Sequence, residues 1–144
     1  MTTRTATAVW NGTLLEGSGA ITSFESGAIG RLPVSWPRRS EAHGGATSPE
    51  ELLAAAHASC FAMALSGGLA RNNTPAKHLD VSATVTFEKV EAGWRVTKSA
   101  LTLRGEVPGL DYDKFAELAE AAKGGCPISA ALAGNVEITL SIPD

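Results

Sequence analysis

The chain is poor in several residue types, and each shortage excludes a class of protein. Two cysteines in 144 residues are too few for the disulfide framework of a small secreted domain. The few basic residues are spread thinly and the formal net charge is −3, so no basic stripe is available to hold a phosphate backbone. The three histidines show no metal-ligand spacing with either cysteine. We therefore expect no nucleic-acid partner, no metal and no disulfide that is needed for folding.

Signals for export and for membrane insertion are also missing. The first ten residues are polar and threonine-rich, without the basic and apolar stretches of a signal peptide. We expect no apolar run long enough to span a bilayer. A chain of 144 residues fits one domain, 1–144, that buries a core of its own. These features predict a cytoplasmic protein, in which two thiols are more often free, catalytic or redox-sensing than cross-linked.

Hydrophobic periodicity predicts the element order β-β-(β)-α-β-β-α-α-β. Asn11-Gly12 is a strong hairpin signal, and the segment 32–48, broken by prolines and glycines, is expected to have no regular element. The predicted strands are 5–10, 13–16, 20–24, 79–87, 94–104 and 136–142, and the predicted helices are 49 to about 70, 111–123 and 126–133. Strands joined by tight turns imply a mostly antiparallel α+β sheet with the long helix packed against it.

The long helix has an unusually clear start. Ser48 is a favoured N-cap, Pro49 suits the first helical position, and Glu51 completes a capping box. Alanines make several faces of this helix apolar, so we expect it to be central and covered by more than one neighbour.

Cys60 lies in the middle of that helix, where burial raises a thiol pKa and the helix dipole gives little help. To act as a nucleophile it needs a nearby cation. Arg39, or failing that Arg38, is the best source, and Glu50 is suited to hold the guanidinium through a bidentate pair. Ten residues of helix separate Glu50 from Cys60 by about 15 Å. Either the long arginine bridges that gap, or the arginine and glutamate come from a partner chain.

Cys126 is in a different setting, because Pro127 fits the first position of a helix and makes the cysteine its N-cap. Helix amides lower the pKa of a thiol there, so local physics makes Cys126 the more acidic cysteine. These two environments do not fix the order of the cysteines' roles. A lone cysteine on an apolar helix is also usually a small core residue. His57, one turn before Cys60, is a candidate base but fits better as a hydrogen-bonded core histidine.

Two stretches of the chain resemble the OsmC/Ohr family of thiol peroxidases. Residues 48–66, SPEELLAAAHASCFAMALS, resemble the family's signature around its first cysteine, and residues 122–129, AKGGCPIS, resemble its second-cysteine motif. The likeness extends over nearly the whole chain. His57 and the Gly-Gly-Cys-Pro-Ile motif are closer to the OsmC branch than to the Ohr branch.

This resemblance implies a mostly antiparallel sheet wrapped around long central helices, in an intertwined homodimer with sites at its interface. It implies a thiol peroxidase that reduces organic hydroperoxides, and hydrogen peroxide to some degree, without metal or organic cofactor. Cys60 is then the peroxidatic cysteine, Cys126 the resolving one, Arg39 the activating arginine and Glu50 the acid that orients it. An external dithiol of lipoyl type is the implied reductant.

Two other functions remain open at this point. A redox-responsive binding or regulatory protein can use the same cysteine pair as a switch without turnover. A structural member of the fold can carry both cysteines as core residues. Consumption of a hydroperoxide in the presence of a dithiol separates the enzyme from both.

Overall fold

The computed structural model describes every residue, Met1–Asp144, and the chain divides into two units, Met1–Leu52 and Leu53–Asp144. Helix α2 begins in the first unit and continues through the boundary into the second. In chain order the elements are β1 (Ala6–Asn11), β2 (Ser18–Phe24), β3 (Leu32–Val34), α1 (Trp36–Ser40), α2 (Pro49–Arg71), β4 (His78–Val90), β5 (Gly93–Glu106), α3 (Tyr112–Gly125), α4 (Pro127–Leu132) and β6 (Glu137–Ser141).

The first unit contains an antiparallel sheet of order β1-β2-β3. The predicted first hairpin is present, but the prediction of a two-residue Asn-Gly turn is wrong. Asn11 pairs with Ser18, and residues 12–17 form the loop. Gly17 donates its amide to the carbonyl of Thr13 at 2.8 Å, so 13–16 curl into a turn where a returning strand was expected. β1 is exposed along its whole length, so this sheet has very little core of its own.

The expectation of an irregular segment at 32–48 is wrong in its first part, which contains β3 and α1. Pro33 is tolerated because β3 is an edge strand, where one missing amide costs no interior ladder bond. Pro37 lies in the first turn of α1, where proline starts a helix instead of breaking it. Both prolines therefore occupy positions that suit regular structure.

The second unit is built on a sheet of order β4-β5-β6. The predicted hairpin between β4 and β5 is confirmed, with Val90 paired to Gly93 across the turn. β6 runs parallel to β5, so the sheet is mixed. Asp111 caps α3 by accepting the amide of Lys114 at 2.9 Å. α3 continues through the glycines at 124–125, two residues beyond its predicted end, and Cys126 both ends α3 and precedes α4.

The core of the second unit brings one face of α2 against β5 and α3. Phe61, Leu65 and Leu69 recur every four residues on α2, and all three are fully buried. The other buried members of this core are Leu101, Leu103, Phe115, Ala119, Ala122 and Cys126. Packing of a helix on a sheet therefore fixes the position of every residue on the buried face of α2.

The opposite face of α2 is open in the single chain. Met63 is 70% exposed, so the expectation that the helix is covered on more than one side is not met within one copy. By length and composition alone α2 is also long and apolar enough to cross a membrane, with a mean hydropathy of 1.5, contrary to expectation. Its buried face, however, packs in the core of an α+β unit. We interpret α2 as a core helix.

The packing makes a stability prediction for the second unit. Leu65→Ala removes a fully buried side chain and should lower the free energy of unfolding by about 2–5 kcal/mol, through lost burial and the cavity left behind. Val90→Ala, at the exposed end of the hairpin, should change it by less than about 1 kcal/mol. Urea titrations at equal protein concentration measure both. Equal midpoints for the two variants would contradict the proposed core.

Candidate active site

The fold brings the two cysteines into contact although they are 66 residues apart in the chain. The sulfurs of Cys60 and Cys126 are 2.8 Å apart, joined by a hydrogen bond, and neither cysteine forms a disulfide. Cys60 comes from the middle of α2, next to the buried Phe61, and Cys126 from the junction of α3 and α4. The pairing suggested by the sequence is therefore present in the folded chain.

Access from outside differs between the two thiols. Cys126 is fully buried, whereas Cys60 is only partly buried. Cys60 lines a cavity of about 770 Å³ within the second unit, together with residues that include Met63, Leu118 and Pro127. A small molecule that enters this cavity reaches Cys60 first.

The acidity of the two thiols also differs, in the opposite sense. Burial, and next the hydrogen bond with Cys126, raise the pKa of Cys60. Burial is also the largest single influence on Cys126 and raises its pKa, but hydrogen bonds with Cys60, Ser129 and Ile128 together outweigh it and lower the pKa. The expectation that Cys126 is the more acidic thiol is thus confirmed. The thiol makes no side-chain capping hydrogen bond to α4.

His57 is fully buried and has a partner at each ring nitrogen. Nδ1 lies 2.7 Å from Oγ of Ser99, and Nε2 lies 2.8 Å from Oγ of Ser129. Burial lowers the pKa of the imidazole and favours its neutral form. Since neither nitrogen is free to take a proton from Cys60, the interpretation of His57 as a hydrogen-bonded core histidine is confirmed.

Arg39 and Glu50 pair within the first unit. Nη2 of Arg39 is 2.7 Å from Oε1 of Glu50, and Nε lies 3.1 and 3.2 Å from the two carboxylate oxygens. The Glu50 side chain is 9% exposed and lies in the first turn of α2, where a helix favours negative charge. Arg38 instead donates to the carbonyl oxygens of His43 and Gly44. Of the two candidate arginines, it is Arg39 that Glu50 holds.

An apolar pocket lies beside this ion pair. It has a volume of about 230 Å³ and is lined by Trp10, Val34, Trp36, Pro49 and Arg39, among others. The Arg39 side chain is 35% exposed, and a guanidinium held by a buried carboxylate at the edge of an apolar pocket is a fixed positive charge. Such a charge can stabilise a thiolate or a developing anion.

Two residues of the site were missed at the level of sequence. Ser99 lies on the buried face of β5 with Leu101 and Leu103, and a serine at an inward position of a strand is the signal that identifies it. Ser129 is the third residue after Cys126, a position whose amide and side chain approach the N-cap. No group of three or more His, Cys, Asp or Glu side chains is placed to hold a metal ion.

Comparison with known proteins shows the family to which the chain belongs. A family model described as "OsmC-like protein" matches residues 42–141. The chain is 42% identical over 131 residues to peroxiredoxin OsmC of Escherichia coli (strain K12), covering 91% of this chain and 89% of that protein. It is 35% identical over 99 residues to organic hydroperoxide resistance protein OhrA of Bacillus subtilis (strain 168), covering 69% of each.

The fold is also that of solved members. The crystal structure of the organic hydroperoxide resistance protein OhrB of Bacillus subtilis aligns with a TM-score of 0.75 at 28% identity, over 96% of this chain and 98% of that one. The α+β fold that the resemblance implied is therefore confirmed. The chain belongs to the family of OsmC-like proteins.

Proposed function

We propose that this protein is a thiol peroxidase that reduces organic hydroperoxides, and hydrogen peroxide to some degree, with Cys60 as the peroxidatic and Cys126 as the resolving cysteine. The observation that carries the proposal is the pair itself: two free thiols 2.8 Å apart, of which only one lines a cavity. The names of the relatives, peroxiredoxin and organic hydroperoxide resistance protein, support the same reaction class.

The order of attack follows from access. A peroxide that enters the cavity reaches Cys60, whereas Cys126 is fully buried behind it. The Cys60 thiolate attacks the distal peroxide oxygen and the O–O bond breaks. The leaving alkoxide or hydroxide takes up from solvent the proton that the Cys60 thiol had released, and departs as alcohol or water. Cys60 is then a sulfenic acid.

Resolution needs little movement. Cys126 attacks the Cys60 sulfur, the S–O bond breaks, and the oxygen leaves as water while a disulfide forms. The sulfurs already lie 2.8 Å apart, and a disulfide bond is about 2.05 Å long. An external dithiol, which we propose to be of lipoyl type, then reduces the disulfide. These steps use no metal and no organic cofactor.

In a single chain Cys60 is a weak acid, because its pKa is raised. Both ring nitrogens of His57 are hydrogen-bonded, so His57 cannot accept the proton of Cys60. The thiolate therefore needs a nearby cation. Glu50 and Cys60 are ten residues apart on α2, or about 15 Å along its axis. We therefore assign activation of each Cys60 to Arg39 and Glu50 of a second copy of the chain.

Exposed apolar surface supports such a homodimer. The strand β1 is exposed along its length, with Val9 and Trp10 both 40% exposed or more, and Leu15 in the loop after it is 67% exposed. Met63 is exposed on α2. Because soluble proteins rarely leave such surface open to water, a second copy is the covering partner that also completes the site. In this assembly 1–144 acts as one OsmC-like domain, and we place it in the cytoplasm, where dithiols are available.

The reaction makes a prediction for intact mass. After one equivalent of cumene hydroperoxide, the wild-type protein should lose two hydrogens and Cys126→Ser should gain one oxygen, because only Cys126 can resolve the sulfenic acid. Cys60→Ser should do neither. An oxygen gained by Cys60→Ser would reverse the two roles. Disulfide formation without consumption of further peroxide in the presence of a dithiol would identify a redox switch.

Arg39 and Arg38 provide a matched test of activation. Arg39→Lys keeps the charge but loses the bidentate contact with Glu50, and the second-order rate of Cys60 oxidation should fall by about tenfold or more. Arg38 donates only to the loop carbonyl oxygens of residues 43–44. The oxidation rate of Arg38→Lys should therefore stay within about twofold of the wild-type rate. Stopped-flow oxidation of Cys60 measures both rates. Equal effects of the two substitutions would contradict the assignment of Arg39.

Mixing two inactive variants tests the shared site. Arg39→Ala and Cys60→Ala should each be inactive, because one lacks the activating charge and the other the nucleophile. If each site takes Arg39 from the second copy, mixed dimers contain one complete site. A random one-to-one mixture should then recover about a quarter of wild-type peroxidase activity. A mixture as inactive as its parents, with mixed dimers present by native mass spectrometry, would place Arg39 and Cys60 in the same chain's site.

A further inference from the structure

The cavity that contains Cys60 has one charged residue in its wall. The residues that α3 and α4 contribute are apolar or small, and include Leu118, Ala122 and Pro127. No aspartate or glutamate lines the cavity, and Arg71, in the last turn of α2, is its only charged side chain. The peroxidase steps described above give Arg71 no role, although it shares an apolar cavity with the sulfur that meets the peroxide.

Cys60 and Arg71 lie on the same face of α2. Cys60, Ala64, Gly67 and Arg71 follow one another at steps of four, three and four residues, which is the spacing of one helix face. A Cβ built on Gly67 would lie only 3.2 Å from Nη1 of Arg71, so the arginine side chain folds back along this face. Gly67 is seven residues beyond Cys60, and the guanidinium therefore lies about 10 Å from the cysteine along the helix axis.

The guanidinium of Arg71 is free to bind a ligand. It forms no hydrogen bond or ion pair within the chain, and Glu117 and Glu120 of α3 are paired with lysines of their own helix. A cation in the last turn also stabilises a helix C-terminus. That effect explains the charge but not the glycine beneath it. Glycine inside a helix costs about 1 kcal/mol relative to alanine, and Gly67 leaves the room that the guanidinium occupies.

We propose that this cavity binds hydroperoxides that carry a carboxylate, and that Arg71 is the residue that selects them. Arginine presents a fork of donors that matches both oxygens of a carboxylate. With the carboxylate on Arg71, the apolar stem of the ligand lies along Met63 and Leu118, and the hydroperoxide reaches Cys60. This inference rests on the proposed peroxidase function and deepens it by naming a substrate class. The carboxylate takes no part in the reaction, in which the O–O bond breaks as described above.

The distance between the sulfur and the guanidinium sets the length of the ligand. Since C–C bonds are about 1.5 Å long, an extended chain of about eight carbons measures roughly 9 Å between its ends. The cavity of about 770 Å³ accommodates such a ligand, because ligand cavities commonly measure about 300–1,000 Å³. ω-Hydroperoxyoctanoic acid, with its carboxylate and its hydroperoxide at opposite ends, is therefore a suitable probe. Its methyl ester has the same stem and the same hydroperoxide but no charge, and is the matched neutral probe.

The ratio of two rates tests the role of Arg71. Stopped-flow oxidation of Cys60 gives one second-order rate for the acid and one for its methyl ester. In Arg71→Gln the acid-to-ester ratio should fall about fivefold, the upper part of the range for an ion pair at an exposed site. The ester rate should stay within about twofold of wild type. Added salt should also lower the acid-to-ester ratio of the wild-type protein, because salt screens an exposed charge.

Two further substitutions separate recognition of the carboxylate from a general effect. Arg71→Lys keeps the charge at the end of α2 but loses the fork of donors, so its ratio should lie between those of the wild type and Arg71→Gln. Arg104→Gln removes an exposed arginine of β5 outside the cavity and is the matched control, which should leave the ratio unchanged. Native mass spectrometry and a melting temperature check the assembly and folding of each variant.

The outcomes distinguish this inference from the function on which it depends. If no hydroperoxide, cumene hydroperoxide included, oxidises Cys60 in the wild-type protein, the peroxidase is overturned and this inference with it. Oxidation by cumene hydroperoxide together with an acid-to-ester ratio that Arg71→Gln leaves unchanged would overturn the role of Arg71 alone. A ratio lowered equally by Arg104→Gln would show an effect of net charge only. Loss of the wild-type assembly in Arg71→Gln would place Arg71 in an interface between copies. Either result would also overturn the assignment of Arg71.

Discussion

The packing of one face of α2 against β5 and α3 is the constraint on which the rest of the site depends. Phe61 is fully buried on that face, and Cys60 is the residue before it. The Cys60 sulfur therefore lies where the core meets the cavity. Cys126 is a member of the same buried cluster. Because close-packed cores allow little displacement, the distance between the two sulfurs is set by core packing and not by a covalent link.

That position gives the two thiols opposite advantages. Cys60 has access to the cavity but a raised pKa, and Cys126 has a lowered pKa but no access. A reaction that needs an exposed first attacker and an acidic second one matches this division. In this two-step reaction Cys126 reacts with Cys60 and not with the peroxide, so the burial of Cys126 does not slow the reaction.

Sequence patterns predicted the elements that depend on local chemistry. The cap at Ser48 with Pro49 placed the start of α2 correctly, and the more acidic character of Cys126 followed from Pro127. Contacts between distant segments were harder to predict. No local signal distinguishes Arg39 from Arg38 as the partner of Glu50. Helix α1 decides which arginine faces the carboxylate, and the prolines had predicted that this segment has no helix. The extent of the first loop likewise depends on strand register, which is a tertiary property.

The neutral, doubly bonded His57 also bears on how Cys60 is activated. A histidine one turn away is the simplest base that a helix can offer a cysteine, and here both its nitrogens are engaged by serines. Under the proposed mechanism the activating group is then a permanent charge, for which a guanidinium is suited. Arg39, held by Glu50, is such a group. If it acts on the Cys60 of a second copy, an unassembled chain keeps a protonated, unreactive Cys60, and assembly itself switches on the peroxidase.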